Sequence, residues 1–175
     1  MSGNDILSII KERRSIRSFS AKPVRREDIL TLLEAARWAP TAGNVQPWHF
    51  FVVLDDTIKK SIARAALSQD FIAQAPVVVV VTTNLKEARA NYGARGDELY
   101  CLQDTAAAAQ NILLTACSLN LASCWVGAFD EEQVGYILGI ERHLRPVAII
   151  PIGYAAEQSM PPHRKTIEHI ASFIE

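Results

Sequence analysis

Residues 98–120, ELYCLQDTAAAAQNILLTACSLN, carry the longest helical pattern in the chain, about 33 Å at ~1.5 Å per residue. Apolar residues fall on nearly every side of it: Leu102, Ala106, Ala107, Ala109, Ile112, Leu113, Ala116 and Leu119. A helix apolar almost all round must be covered on more than one face. A single domain of 175 residues supplies only part of that cover, so a second subunit is the expected source of the rest.

Upstream of this helix, residues 84–97 read as a loop, and Pro76–Thr82 is a run of five valines suited to a central strand buried on both faces. Further back, the pattern predicts a strand over His49–Leu54 and a helix opened by Asp55 or Asp56 that runs to about Leu67. Two helices come first. One covers Asn4–Arg13, capped by Asn4 or Ser2; the other starts near Arg26, carries Ile29, Leu32, Leu33, Ala36 and Trp38, and stops at Pro40. Downstream lie a short strand over Ala122–Val126, a helix over Asp130–Leu138, and a strand over Pro146–Ile152. The last stretch, Tyr154–Glu175, contains MPPHR and closes on a short helical pattern. Nothing divides the chain, so residues 1–175 form one domain of α/β or α+β type, with strand order undecided by local pattern.

Composition narrows the function classes. Hydrophobic residues make up 49% and charged residues 21%, an ordinary globular balance. A formal net charge of -1 gives no general attraction to nucleic acid or anionic membrane. The longest strongly apolar stretch, Ala75–Val81, is too short to span a bilayer, and MSGNDILSIIKERR is not a signal-peptide pattern. A cytoplasmic protein that binds neither membrane nor nucleic acid is therefore expected. Cys101, Cys117 and Cys124 lack CxxC spacing, which argues against disulfides and zinc, and the four histidines show no ligand spacing, so no metal is expected. Cys101 and Cys117 read as buried helical thiols, while Cys124 lies beside a candidate site.

Four segments carry chemistry-bearing residues. Arg13, Arg14, Ser15 and Arg17 place three guanidiniums and a hydroxyl within five residues at the end of the first helix. Such forks suit phosphate, although cations also simply favour a helix C-terminus. In Pro40–Trp48, the amides of Asn44 and Gln46 can donate and accept along a heterocycle edge, beside Thr41 and on a backbone fixed by Gly43 and two prolines. The same stretch also reads as a plain connecting loop. Trp125, Val126, Gly127 and Ala128 run from a strand into a small-residue turn that would let a planar ligand approach backbone N–H groups, or would merely precede a helix. Finally, Arg164 and Lys165 form a second basic cluster, either a phosphate contact or a solvated surface.

Each segment is weak alone, but their order is informative. With RRSIRSF at 13–19, WAPTAGNVQPWHFFVV at 38–53, QDTAAAAQNILLTACSLNLASCWVGAF at 103–129 and PIGY…PPHRK at 151–165, the chain resembles the nitroreductase family from about Ile6 onward, as a short member. The resemblance implies an α+β fold with a central mixed sheet flanked by helices. It also implies an intertwined homodimer with FMN at the interface, and a C-terminal segment, about 154–175, that extends onto the partner.

By the same resemblance, Arg13, Arg14, Ser15 and Arg17 match the first flavin-binding segment, with Arg13 on the phosphate and Arg17 near flavin N1. A fixed cation there stabilises negative charge on the reduced ring. Thr41, Asn44 and Gln46 match the segment approaching from the partner chain. Trp125, Val126, Gly127 and Ala128 match the wall near N5, and Arg164, with Lys165 beside it, matches the C-terminal phosphate contact. Larger relatives carry a Glu where Gly127 stands, and an Asn and a Lys before the central strand. Here that region reads ALSQDFIAQAP, so Gln69 is a partial substitute.

The implied activity is ping-pong transfer of two electrons from NADH or NADPH to a nitroaromatic, quinone or similar flat acceptor, centred on the flavin and needing no catalytic side chain. Reductive dehalogenation, flavin fragmentation and flavin binding without turnover are the alternatives on the same scaffold. In the 85–98 stretch, Asn91, Tyr92 and Arg95 are the candidates to line an acceptor pocket.

Overall fold

The computed structural model describes residues 6–175. The proposed cap at Asn4 or Ser2 lies outside them; α1 runs Ile6–Glu12. α2 (Arg26–Arg37) follows, and a single 3-10 turn, Ala42–Asn44, leads into β1 (Trp48–Val53). α3 (Asp56–Ala65) starts where the Asp55 carboxylate accepts from Ile58 N at 2.8 Å, an N-cap that the sequence offers at either aspartate. A short α4 (Phe71–Gln74) precedes β2 (Val77–Asn84). Next come α5 (Leu85–Arg95), a π turn over Gly96–Tyr100, and α6 (Cys101–Ser118). β3 (Ala122–Ser123), α7 (Glu131–Leu138) and β4 (Leu144–Gly153) complete the core.

The strands order as β1-β2-β4-β3. All three pairings are antiparallel, whereas a mixed sheet was expected. The parallel component is a single bridge between Ser15 and Ser123. Alternation along β2 explains its valines. Val77, Val79 and Val81 enter a core with Ile29, Leu32, Ile112 and Leu113 from α2 and α6; Val78 and Val80 enter a second with Ile62, Ile72 and Val134 from α3, α4 and α7. The sheet is thus sandwiched between two helical layers, and β2 is buried on both faces as its sequence predicts.

The 84–97 stretch departs from expectation. It is helical over most of its length, because Asn84 caps α5 by accepting from Glu87 N at 3.1 Å. The helix breaks at Tyr92 and Gly93, and Gly93 takes the left-handed φ of 58°. α6 buries Cys101, Asp104, Thr105, Ala108, Ala109, Ile112, Leu113 and Ala116, and leaves Ala106, Ala107, Leu114 and Thr115 half-exposed. Among the described residues no helix is long and apolar enough to cross a membrane.

Candidate functional site

After α1 the chain runs as a strap across the end of the sheet. Ile16 N donates to Ser123 O at 3.0 Å, Ser20 N to Tyr154 O at 2.9 Å, and Ala156 N to Ser18 O at 3.0 Å. Buried Phe19 anchors the strap, and Ser15 and Arg17 stay exposed. Arg14 turns back on α1, its Nη1 donating to Lys11 O at 2.5 Å and Arg13 O at 3.0 Å, while its buried Nε has no acceptor among the described residues. The Arg17 guanidinium lies 5.9 Å from the Phe71 ring centre. Among the described residues no carboxylate forms an ion pair with Arg13, Arg14 or Arg17. A cleft of 560 Å³ opens beside Ser15, Arg17, Gln74 and Met160, and Arg13 and Arg14 line an adjoining one of 280 Å³ with Cys117 and Asn120. The strap therefore presents three cations, none in an ion pair among the described residues, to clefts that Glu12 and Glu157 also line.

The second wall is built on β4. Val126 exchanges two hydrogen bonds with Ile149, at 2.9 and 3.0 Å, which pins the segment and leaves Trp125, Gly127 and Ala128 exposed. The expected strand over Ala122–Val126 is shorter, Ala122–Ser123, with Val126 forming a separate bridge. Gln69 does join this wall: its Nε2 donates to Ala66 O at 2.8 Å and Ala128 O at 3.0 Å. A Cβ added at Gly127 would meet nothing nearer than Trp125 Nε1 at 3.8 Å, so internal packing does not demand a glycine there. Cys124 is buried and burial pushes its thiol up, only partly offset by nearby Arg17; the thiolate is disfavoured, which speaks against a redox role.

Thr41, Asn44 and Gln46 lie elsewhere. Gly43, Asn44 and Gln46 all have φ between 53° and 58°, the left-handed region, which is strained at the glutamine. Thr41 Oγ1 accepts from Gln46 N at 3.2 Å and Gln46 Nε2 donates to Asn44 Oδ1 at 3.1 Å, so the loop is internally braced. It is tied to α6 by Asp104, whose buried carboxylate accepts from Ala42 N at 3.1 Å. Asp104 was not among the predicted residues; its signal is that it is the one acid in an otherwise uncharged helix. Burial pushes its carboxyl up, more than the Ala42 bond draws it down. Since Cys117 lies beside Arg13 and Asp104 holds the loop, thirteen residues of α6 put roughly 20 Å between strap and loop within one chain.

Arg164 and Lys165 lie in the 155–175 stretch, which is exposed throughout, and among the described residues neither forms an ion pair. Of the acceptor-pocket candidates, the Asn91 amide bonds back to Glu87 O at 2.9 Å, whereas Tyr92 reaches Gly43 and Arg95 reaches Tyr100. No group of three His, Cys, Asp or Glu side chains suited to a metal occurs among the described residues.

The profile of the nitroreductase family matches residues 10–69 and 57–154. A provisionally assigned NADH dehydrogenase/NAD(P)H nitroreductase of Archaeoglobus fulgidus is 34% identical over 158 residues, covering 88% of this chain and 87% of that protein. The NADH dehydrogenase of Thermus thermophilus is 32% identical, covering 91% of each. The crystal structure of an FMN-dependent nitroreductase from Clostridium difficile superposes with a TM-score of 0.83 at 23% identity, covering 97% of this chain and 99% of that one, a likeness of fold.

Proposed function

Because the chain belongs to the nitroreductase family and is an oxidoreductase of that kind, we propose that it binds FMN between two copies of itself and passes two electrons from NADH or NADPH to a nitroaromatic, quinone or similar flat acceptor. The observation that carries this reading is the separation of the two half-sites. The cationic strap lies at one end of α6, and the braced amide loop at the other, roughly 20 Å away. Two copies related by a two-fold axis would bring the strap of one against the loop of the other.

The residues present fit FMN. Arg13, Arg14 and Arg17 offer guanidiniums, and Ser15 a hydroxyl, for a phosphate and a pyrimidine edge, and Arg14 Nε is a buried donor with no acceptor among the described residues. Gly127 leaves its backbone open where a Cβ would meet only Trp125 at 3.8 Å. FMN, when bound, supplies the hydride chemistry between nicotinamide and acceptor. Arg17, steadied over Phe71, holds a positive charge at the strap. Gln69 fixes the Ala128 carbonyl and with it the direction of the adjoining N–H groups. Thr41, Asn44 and Gln46 of the second copy would present amides and a hydroxyl to the ring edge, and Trp125, Val126, Gly127 and Ala128 would exclude water from one face. No side chain need act as nucleophile.

The same pairing would accommodate the C-terminal segment. Met160, Ile167, Ile170, Phe173 and Ile174 are all exposed, an unfavourable state for a lone chain. A groove of 470 Å³ beside the open edge of β1, lined by Val24, Ile29, Leu30, Leu33, Val52 and Leu54, would receive that segment from the second copy and bring Arg164 and Lys165 to the phosphate end. Three unbridged cysteines accord with work in the reducing cytoplasm.

The test is the absorption spectrum of purified protein, followed by steady-state oxidation of NADH and NADPH with menadione or nitrofurazone. A yellow sample that releases FMN on denaturation and turns over is expected. A sample that stays colourless after incubation with FMN rejects the cofactor; bound FMN that never cycles rejects the enzyme and leaves a flavin-binding redox protein.

A further inference from the structure

The end of α5 and the π turn form a corner against the 41–46 loop. α5 breaks at Tyr92 (φ -136°, ψ 16°) and Gly93, and the chain goes directly into the π turn. Both irregularities turn Tyr92 onto the 41–46 loop. A Cβ at Gly43 would lie 1.9 Å from the Tyr92 hydroxyl, so the phenol rests directly on the Gly43 backbone. Its ring meets Tyr100 edge-on, with centroids 5.4 Å apart and planes at 82°. Arg95 Nε donates to the Tyr100 hydroxyl at 2.8 Å.

Charge in this corner is unevenly satisfied. Asp97 binds Arg89 at 2.7 Å, and no carboxylate among the described residues pairs with Arg95. With Nε committed to Tyr100, the Nη groups of Arg95 keep their donors for an outside partner. The guanidinium is exposed yet oriented, which lowers the entropy cost of using it. Gly96 holds the turn in place, since a Cβ there would strike Ala88 O at 2.2 Å.

We propose that Tyr92, Tyr100 and Arg95 read an anionic group on a flat substrate. The two rings would bound its body, and the Arg95 fork would take a carboxylate or phosphate at its end. This rests on the reading that the 41–46 loop borders the flavin, because only then does Tyr92 face the reacting pocket. The anion has two sources: a carboxylate on an aromatic acceptor, or a phosphate of the nicotinamide donor. Specificity would come from Arg95, and Tyr92 also covers Gly43.

The experiment compares the parent with Arg95→Gln and Arg95→Lys as purified proteins whose FMN content is measured first. Calorimetric titration with benzoate and with benzamide needs no turnover; KM values for 4-nitrobenzoate, 4-nitrobenzamide, NADH and NADPH follow. For the acceptor source, Arg95→Gln weakens benzoate and 4-nitrobenzoate about fivefold to tenfold relative to their neutral amides, the size of one charge-assisted pair at an open site, and Arg95→Lys recovers part of it. For the donor source, the same loss falls on NADH or NADPH instead. Equal effects on anionic and neutral ligands, or none on any anion, overturn the proposal. Absence of FMN from the parent marks failure of the flavin reading, and benzoate calorimetry still reports on Arg95.

Discussion

Replacing Asp104 with alanine tests how the half-site on the 41–46 loop is held. The carboxylate is buried on α6 and accepts from Ala42 N at 3.1 Å, one residue before three left-handed positions in four. A hydrogen bond to a charged acceptor contributes about 1.5–3 kcal/mol, and relief of the buried charge offsets part of its loss. Ala42 is only half-buried, so water can reach its freed N–H. The net cost is therefore about 1–2 kcal/mol, and it appears as loop opening more than as global unfolding. If this loop touches FMN in the second copy, the Kd for FMN rises roughly fivefold to thirtyfold. Asp104→Asn keeps the shape and one acceptor oxygen and stays within about 1 kcal/mol of the parent. Because burial raises the Asp104 pKa, the native state holds the proton more tightly than the unfolded state. Its contribution to stability therefore falls as pH rises from the usual carboxylate range through the raised native pKa, and Asp104→Asn abolishes that slope. FMN fluorescence titration and urea unfolding measure both quantities. FMN binding by Asp104→Ala within twofold of the parent, or an Asp104→Asn variant as weak as the alanine variant, refutes the argument.

Gly43→Ala puts a Cβ at φ 53° and 1.9 Å from the Tyr92 hydroxyl, and should destabilise by about 1–2 kcal/mol; Tyr92→Phe in that background should recover part of it, and simple additivity in a urea double-mutant cycle would show the contact to be unimportant. Lys59 is buried with Nζ on Ala75 O at 2.8 Å and on exposed Asp56 at 2.9 Å, so Lys59→Met, which orphans the Ala75 carbonyl, should cost about 1–3 kcal/mol in thermal unfolding and Asp56→Asn far less; equal losses would contradict this. Glu34, held by Arg37 and by Trp38 Nε1, titrates at about 2, so its stabilising contribution is complete above its usual value of 4.5 and is lost as pH falls towards 2. Carboxyl NMR on Arg37→Gln should find Glu34 shifted upward, and an unchanged midpoint would assign the shift to another cause.

Period and caps made much of the fold legible. The valines of β2 show no alternation because two cores take alternate residues, and α2 is bounded within a residue or so of its predicted limits. Strand order was not legible, since pairing depends on contacts far apart in sequence; the antiparallel sheet replaced the expected mixed one. α5 was missed because Gly93 and Gly96 resemble loop punctuation, and their roles, a left-handed kink and a close approach to Ala88, exist only in three dimensions. Gln69 bonds to the Ala128 carbonyl and Arg17 lies over the Phe71 ring, contacts between segments that are distant in sequence. Thr41, Asn44 and Gln46 sit instead on a loop tied to Asp104 of α6, a long-range contact that no local pattern announces, and Arg164 and Lys165 lie in an exposed stretch. Asp104 acts through a backbone N–H, and nothing in the identity of Ala42 announces that partner.

Native mass spectrometry of the freshly purified protein tests the central claim most directly. The 19.3 kDa chain should appear as a dimer carrying two FMN, with flavin lost together with the dimer as the protein is diluted or its C-terminal segment removed. A monomer that holds FMN with full affinity, or a dimer that takes up none, would contradict a flavin site built from two chains.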